Sequence, residues 1–216
     1  EQLVFLRRHL FDLPLDAFRP LANPARFLGA LVTLFARAKD EAVTPEEFLA
    51  YAGELERRAR AAPQEASLAA EERRMAELAT AYGAYQELLR GQDMADFGDQ
   101  VFLAAQLLEQ HPDILSAVRQ RVRYLLIDEF QDTNFAQFRL LQLLAGPTAN
   151  ITVVADDDQS IYKWRGAALS NVLKFLEYYA EIRTIVLTEN FRSGQPILDC
   201  AYRLIRFNDP DRLEVR

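Results

Sequence analysis

The sequence is poor in the residues that staple or metallate small folds. Cys200 is the single cysteine, and His9 and His111 are the two histidines, in 216 residues. That excludes a disulfide framework and a cysteine–histidine zinc cluster. No apolar run is long enough to span a bilayer and no signal peptide is evident, so an intracellular, cytoplasmic location is the default expectation. A global basic field is missing too: the formal net charge is −7, which argues against non-specific coating of nucleic acid but not against a local groove. None of the eight glycines is followed by lysine, so the G-x-x-x-x-G-K-[ST] loop that cradles nucleotide phosphates is absent. The chain starts at Glu1 rather than methionine, and the expectation is an excerpt of something longer. What is present is ordinary for a globular protein, 50% hydrophobic and 26% charged, with length for one large domain or two small ones.

Residues 1 to about 95 carry helical periodicity. Asn23-Pro24 before Phe27, Leu28, Leu31, Leu34 and Phe35 predicts an N-cap, a first-turn proline and a helix. Thr44-Pro45-Glu46-Glu47 has the form of a capping box opening a helix that Pro63 ends. A longer helix is expected over Leu68 to Leu89, with Met75, Leu78, Tyr82 and Tyr85 at core spacing and a stop near Gly91. The pairs Arg57-Arg58 and Arg73-Arg74 read as solvated helix faces.

From about Asp96 the pattern changes. Asp96-Phe-Gly-Asp99 predicts a helix start, and a short helix follows from Asp113. Three β-like runs come next, at 124–127, 151–155 and 184–187, separated by helical stretches at 135–144 and 169–179. A last helix is expected over 196–207. The β-α-β-α-β alternation predicts a parallel sheet of three strands with flanking helices. The unbroken run Tyr124-Leu-Leu-Ile127 suits a central strand covered on both faces. The expected organisation is a helical domain over 1–95 and an α/β domain over 96–216.

Each β-like run delivers a polar cluster at its carboxyl end, where open α/β sheets place their chemistry. The first is Asp128-Glu129-Phe130-Gln131-Asp132. The second spans Asp156-Asp157-Asp158-Gln159 to Tyr162-Lys163-Trp164-Arg165-Gly166. The third is Glu189-Asn190-Phe191-Arg192-Ser193. An Asp-Glu pair at a strand end can hold Mg²⁺ and orient an attacking water, or it can simply be an acidic helix N-terminus. Side by side, the three clusters bring carboxylates, an amide, a guanidinium and exposed-type aromatics to one rim.

In order and in spacing to the strands, DEFQDTN, DDDQSIY with WRGA, and NFRS resemble motifs II, III and IV of the UvrD/PcrA/Rep group of superfamily 1 DNA helicases. The resemblance covers roughly the second half of the chain. The first half fits, by position and helicity alone, the helical subdomain inserted ahead of motif II. The resemblance implies a partial RecA-like P-loop NTPase fold and ATP-driven movement on single-stranded and duplex DNA, in the 3′-to-5′ direction, in repair or recombination. It implies that Asp128 holds the Mg²⁺ of MgATP, Glu129 activates the hydrolytic water, and Gln159 reports on the γ-phosphate. Arg192 would offset transition-state charge. Phe191, where the group usually has Tyr, keeps a ring for adenine and loses the hydroxyl. Tyr162 and Trp164 would stack on DNA bases, flanked by Lys163 and Arg165. Lys163 replaces a common Gly and offers an added phosphate contact or an altered loop path.

With no P-loop and no later motifs in it, this stretch is expected to depend on the rest of a helicase chain and to be inactive alone. A sheet without its P-loop strand is expected to expose an edge or to pair with another copy. Two other readings stay open. One is a non-catalytic, DNA-binding or scaffold relative of the helicases. The other is a metal-dependent nuclease or phosphatase in which Asp128, Glu129 and Asp156 to Asp158 hold two cations, which leaves Gln159, Trp164 and Arg192 without a task.

Overall fold

A computed structural model describes residues 1–61, 66–146, 150–160, 169–179 and 181–209. The chain forms two compact units, Glu1–Ile114 and Leu115–Arg216. The division falls beyond residue 95, because the helix that follows Asp96 belongs to the first unit.

In that unit, helices α1 (Gln2–Arg8), α2 (Leu28–Asp40), α3 (Pro45–Ala61) and α4 (Ala66–Arg90) contribute to one core, and α5 (Phe97–Gln110) packs beside α2. Local sequence sets several of the ends. At α3 the capping box is complete: Glu47 N–H donates to Thr44 Oγ1 at 3.1 Å and Thr44 N–H donates to Glu47 Oε2 at 2.8 Å. At α5 the Asp96 and Asp99 side chains make the same reciprocal exchange. By contrast, α2 begins at Leu28 and not at Asn23. Residues 23–27 form successive turns, with Arg26 N–H donating to Asn23 O and Leu28 N–H to Ala25 O; the proline-led turn does not propagate until the apolar face begins.

The core is held by Leu6, Leu31, Phe35, Ala81, Tyr82 and Tyr85, all essentially buried. Phe35 stacks on both tyrosines, with centroids 5.4 and 5.1 Å apart. Burial, and then the nearby Asp96 and Asp99 carboxylates, push both tyrosine hydroxyls far above their ordinary range. Lys39 is 0% exposed. Its ammonium meets Asp96 at 2.5 Å and Asp99 at 2.8 Å, and Tyr85 donates to Asp96 at 2.9 Å. A buried cation is tolerated because two carboxylates and an aromatic face receive it.

Helix α6 (Pro112–Arg121) begins in the first unit and runs on into the second, which holds strand β1 (Leu125–Ile127), then α7 (Phe135–Ala145), strand β2 (Ile151–Val153), α8 (Leu169–Tyr178) and α9 (Gln195–Ile205). The strands are parallel, with Leu125 opposite Ile151 and Ile127 opposite Val153. Phe130, Phe138, Val172 and Phe175 form the core, with Ile127, Ile151 and Val153 packed on it.

The expected third strand is not formed among the described residues, where the sheet has the order β1-β2. Residues 184–187 run without ladder hydrogen bonds, and Ile185, Val186 and Leu187 are exposed. A strand exists only where a neighbouring edge accepts its backbone groups, and among the described residues this run has no ladder partner. Nor is β1 covered on both faces. Ile127 points into the core while Leu126 is 79% exposed. The unbroken apolar run therefore encodes more covering than the described residues supply.

Candidate functional site

The carboxyl ends of β1 and β2 are locked together beyond the ladder. Val154 N–H donates to Ile127 O at 2.8 Å and Phe130 N–H to Val154 O at 2.9 Å. This crossing turns the chain sharply after Ile127. Glu129 takes the left-handed conformation, φ 50° and ψ 44°, which is uncommon for a residue with a Cβ and tends to gather at functional sites. Its N–H donates to Asp128 Oδ1 at 3.0 Å, so the two adjacent carboxylates project from a tightened corner. Both are exposed.

Behind the corner lies Gln131, 0% exposed. Its Nε2 donates to Glu129 Oε2 at 2.7 Å, and its Oε1 accepts the Asp156 N–H at 3.0 Å. On the other strand end, Asp156 organises the turn Asp157–Gln159: one carboxylate oxygen accepts Asp158 N–H at 3.1 Å and the other accepts Gln159 Nε2 at 2.6 Å. The first polar cluster and the described start of the second, Asp156–Gln159, are thus one hydrogen-bonded assembly. The bridging role of Gln131 was not foreseen from sequence. The only local signal is an amide two residues after the Asp-Glu pair, and its burial is a tertiary property.

The third cluster comes close although its strand does not form. Asn190 Oδ1 accepts the N–H groups of Arg192 and Ser193, both at 2.9 Å, which folds the segment into a tight turn. Gln159, Glu189, Asn190, Phe191 and Arg192 line one open cleft of about 490 Å³. Phe191 is 90% exposed, a free aromatic face beside a guanidinium. Asp128 and Glu129 do not line this cleft; they connect to it through Gln131, Asp156 and Gln159. Tyr162, Lys163, Trp164 and Arg165 lie outside the described residues.

Mg²⁺ bound with a nucleotide asks for one or two carboxylates, waters and phosphate oxygens. Asp128, exposed at a strand end, meets that demand. No group of three or more His, Cys, Asp or Glu able to hold a metal occurs among the described residues. No helix among them is long and apolar enough to cross a membrane.

Comparison with known proteins converges on one group. Residues 7–180 match the family model of the UvrD/REP helicase N-terminal domain. The chain is 41% identical over 208 residues to the ATP-dependent DNA helicase PcrA of Leuconostoc citreum, covering 96% of this chain and 25% of that protein. It is 38% identical over 186 residues to PcrA of Staphylococcus epidermidis, covering 86% of this chain and 22% of the relative. Over 131 residues, 61% of this chain and 18% of the relative, it is 42% identical to PcrA of Staphylococcus aureus. The chain therefore spans a quarter or less of the length of these relatives.

Proposed function

The chain belongs to the UvrD/REP helicase family, and from that premise we propose that it is part of an ATP-dependent DNA helicase. The whole protein couples ATP hydrolysis to movement on single-stranded DNA and to duplex unwinding, in the 3′-to-5′ direction. Glu1 to about residue 95 is the inserted helical subdomain and the remainder is part of a RecA-like motor domain. The run at 184–187 becomes a third strand once the missing sheet neighbour is supplied. The observation that carries this reading is the cleft in which Gln159 and Arg192 meet, tied through Asp156 and Gln131 to the Asp128–Glu129 corner.

Phosphoryl transfer to water needs positioning and charge stabilisation more than covalent help. Asp128 would hold Mg²⁺, which would supply positive charge against the phosphates. Glu129 orients and deprotonates the attacking water. Gln159 donates to the γ-phosphate after leaving Asp156, so its turn reports which nucleotide is present. Arg192 offsets charge developing on the transferred group. Phe191 stacks on adenine. Tyr162 and Trp164, beside Lys163 and Arg165, hold DNA bases and backbone, and they follow Gln159 closely enough for phosphate loss to shift them. The Walker A segment and the second motor domain belong to the rest of the helicase chain. A two-cation nuclease is disfavoured, because it leaves Gln159 and Arg192, which line one cleft, without a task.

The test compares the 216-residue chain with the longer polypeptide that contains it. The longer form should hydrolyse ATP with stimulation by single-stranded DNA, and Glu129→Gln should lower kcat by roughly 10²- to 10⁴-fold, the usual worth of a positioned acid–base group. The chain alone should show negligible ATPase. Robust turnover by the isolated chain overturns its dependence on the remaining segments. DNA binding by the longer form without hydrolysis favours a scaffold relative.

A further inference from the structure

We propose that Gln131 is a positioning residue that ties the hydrolytic carboxylate of Glu129 to the phosphate-sensing turn at Gln159, so that base and sensor move as one piece. The inference rests on the motor reading above. Its observations are geometric. Gln131 is 0% exposed, and both ends of its amide are engaged, Nε2 with Glu129 at 2.7 Å and Oε1 with the Asp156 N–H at 3.0 Å. The orientation of the amide follows from chemistry: a backbone N–H can only donate and an ionised carboxylate can only accept. Only a side chain with one donor and one acceptor on the same planar group can serve both. Asp156 then continues the line, its carboxylate holding Gln159 Nε2 at 2.6 Å. Four residues from two strand ends form an unbroken hydrogen-bonded path from the proposed base to the proposed sensor.

The path has work to do because Glu129 has little else to hold it. It is exposed, it sits in a left-handed backbone conformation, and the Gln131 amide is the partner the structure gives its carboxylate. A displacement of about 1 Å of a catalytic group costs on the order of a hundredfold in rate. When Gln159 leaves Asp156 for a phosphate, the change at Asp156 reaches Glu129 through one rigid amide. Release of the phosphate returns it.

Two substitutions separate the ends of the bridge. Gln131→Glu keeps the size and the acceptor for Asp156 N–H but sets a carboxylate oxygen against Glu129. Gln131→Met keeps the volume and removes both bonds. In the longer, P-loop-containing polypeptide, both should lower kcat for DNA-stimulated hydrolysis by roughly tenfold to a hundredfold, with KM for ATP within about twofold, because ground-state binding does not use this contact. Single-turnover hydrolysis in a Glu129→Gln background should fall no further when Gln131→Met is added, since the group being positioned is already gone. Thermal melting of each variant accompanies the kinetics; a loss of kcat that persists undiminished in the Glu129→Gln background assigns Gln131 a merely structural role and overturns the inference. So does wild-type kcat in both single variants, or a rise in KM with kcat unchanged. These outcomes leave the motor reading standing when Glu129→Gln is inactive. A wild-type polypeptide without ATP hydrolysis overturns both.

Discussion

The helical unit and the α/β unit handle their apolar residues differently. In Glu1–Ile114 a continuous core runs from Leu6 through Phe35 to Tyr82 and Leu89, and even a lysine is buried with its charges matched. In Leu115–Arg216 the core is small, centred on Phe130, Phe138 and Phe175. Large apolar side chains elsewhere in that unit, among them Leu126, Leu187, Phe191, Ile197 and Leu204, face solvent. The first unit satisfies itself with local caps and one helix bundle. The second arranges its polar strand ends while leaving one sheet face and both edges without cover among the described residues, a pattern that marks surfaces of interaction.

The sharpest way to break the contrast is to damage the helical unit at its buried ion group. Lys39→Ala leaves Asp96 and Asp99 as uncompensated buried charges, and removal of one partner of such a group costs about 3–5 kcal/mol. Hydrogen exchange in α2, α4 and α5 should accelerate strongly while exchange around Phe130 stays as it was; equal acceleration in both units would show that they do not stand independently. The same group predicts an acid sensitivity. Burial raises the Asp96 carboxyl, but the Lys39 ammonium, the Asp99 N–H and the Tyr85 hydroxyl outweigh it and hold Asp96 below its ordinary value of 3.8. A depressed carboxyl contributes stability that is present above its unfolded value and lost as pH falls through the folded one. Protection of the helical unit should therefore weaken below pH 3.8, and Asp96→Asn should remove that part of the pH dependence.

Much of the helical unit is legible residue by residue, because its signals are local. The Thr44–Glu47 box and the helix start at Asp96–Asp99 are written within four residues and form where expected, the second as a capping box as well. The run at 124–127 also announces its strand. What local pattern cannot supply is the partner. Residues 184–187 have the composition of a strand and remain unpaired, because pairing depends on another edge. The face of Leu126 reads as buried and is open for the same reason. At the site, Gln159 and Arg192 were each singled out by type, and the structure adds the cleft they share. Gln131 escaped notice because its task is defined by Asp156, 25 residues away in sequence. The family resemblance stated from DEFQDTN, DDDQ and NFRS is matched by the family model and by the PcrA relatives.

A smaller effect is expected where the α/β unit is locally strict. Gly146 closes α7 with φ 68° and ψ −178°, a region that only glycine occupies comfortably. A Cβ there would also meet the Arg119 guanidinium at 3.2 Å. That guanidinium is itself committed, since Arg119 Nε donates to Leu143 O at 2.7 Å. Gly146→Ala should destabilise the unit by about 1–3 kcal/mol, the usual cost of such backbone strain. The expected reading is faster exchange in α7 and β2 with the helical unit unchanged, which shows that the open unit has ordered interior joints.

The smallest effect is the most diagnostic of the contrast. Leu126 lies mid-strand in β1, where an apolar residue ordinarily contributes a full side chain of burial, yet it is 79% exposed. Substitution of an exposed residue away from caps and buried networks stays within about 0.5 kcal/mol. Leu126→Thr, which introduces a β-branched side chain of high strand propensity, should thus leave the melting of the 216-residue chain almost unmoved. In the longer polypeptide the same change should cost on the order of 1.5–3 kcal/mol, the worth of burying such a side chain, if further elements cover this face. A large loss in the short chain instead would mean that the face is already covered there, most simply by a second copy across the open sheet, and the solution mass would then be that of a dimer. A neutral result in both lengths would make Leu126 a surface residue throughout, and the unbroken apolar run of β1 would need another explanation than two covered faces.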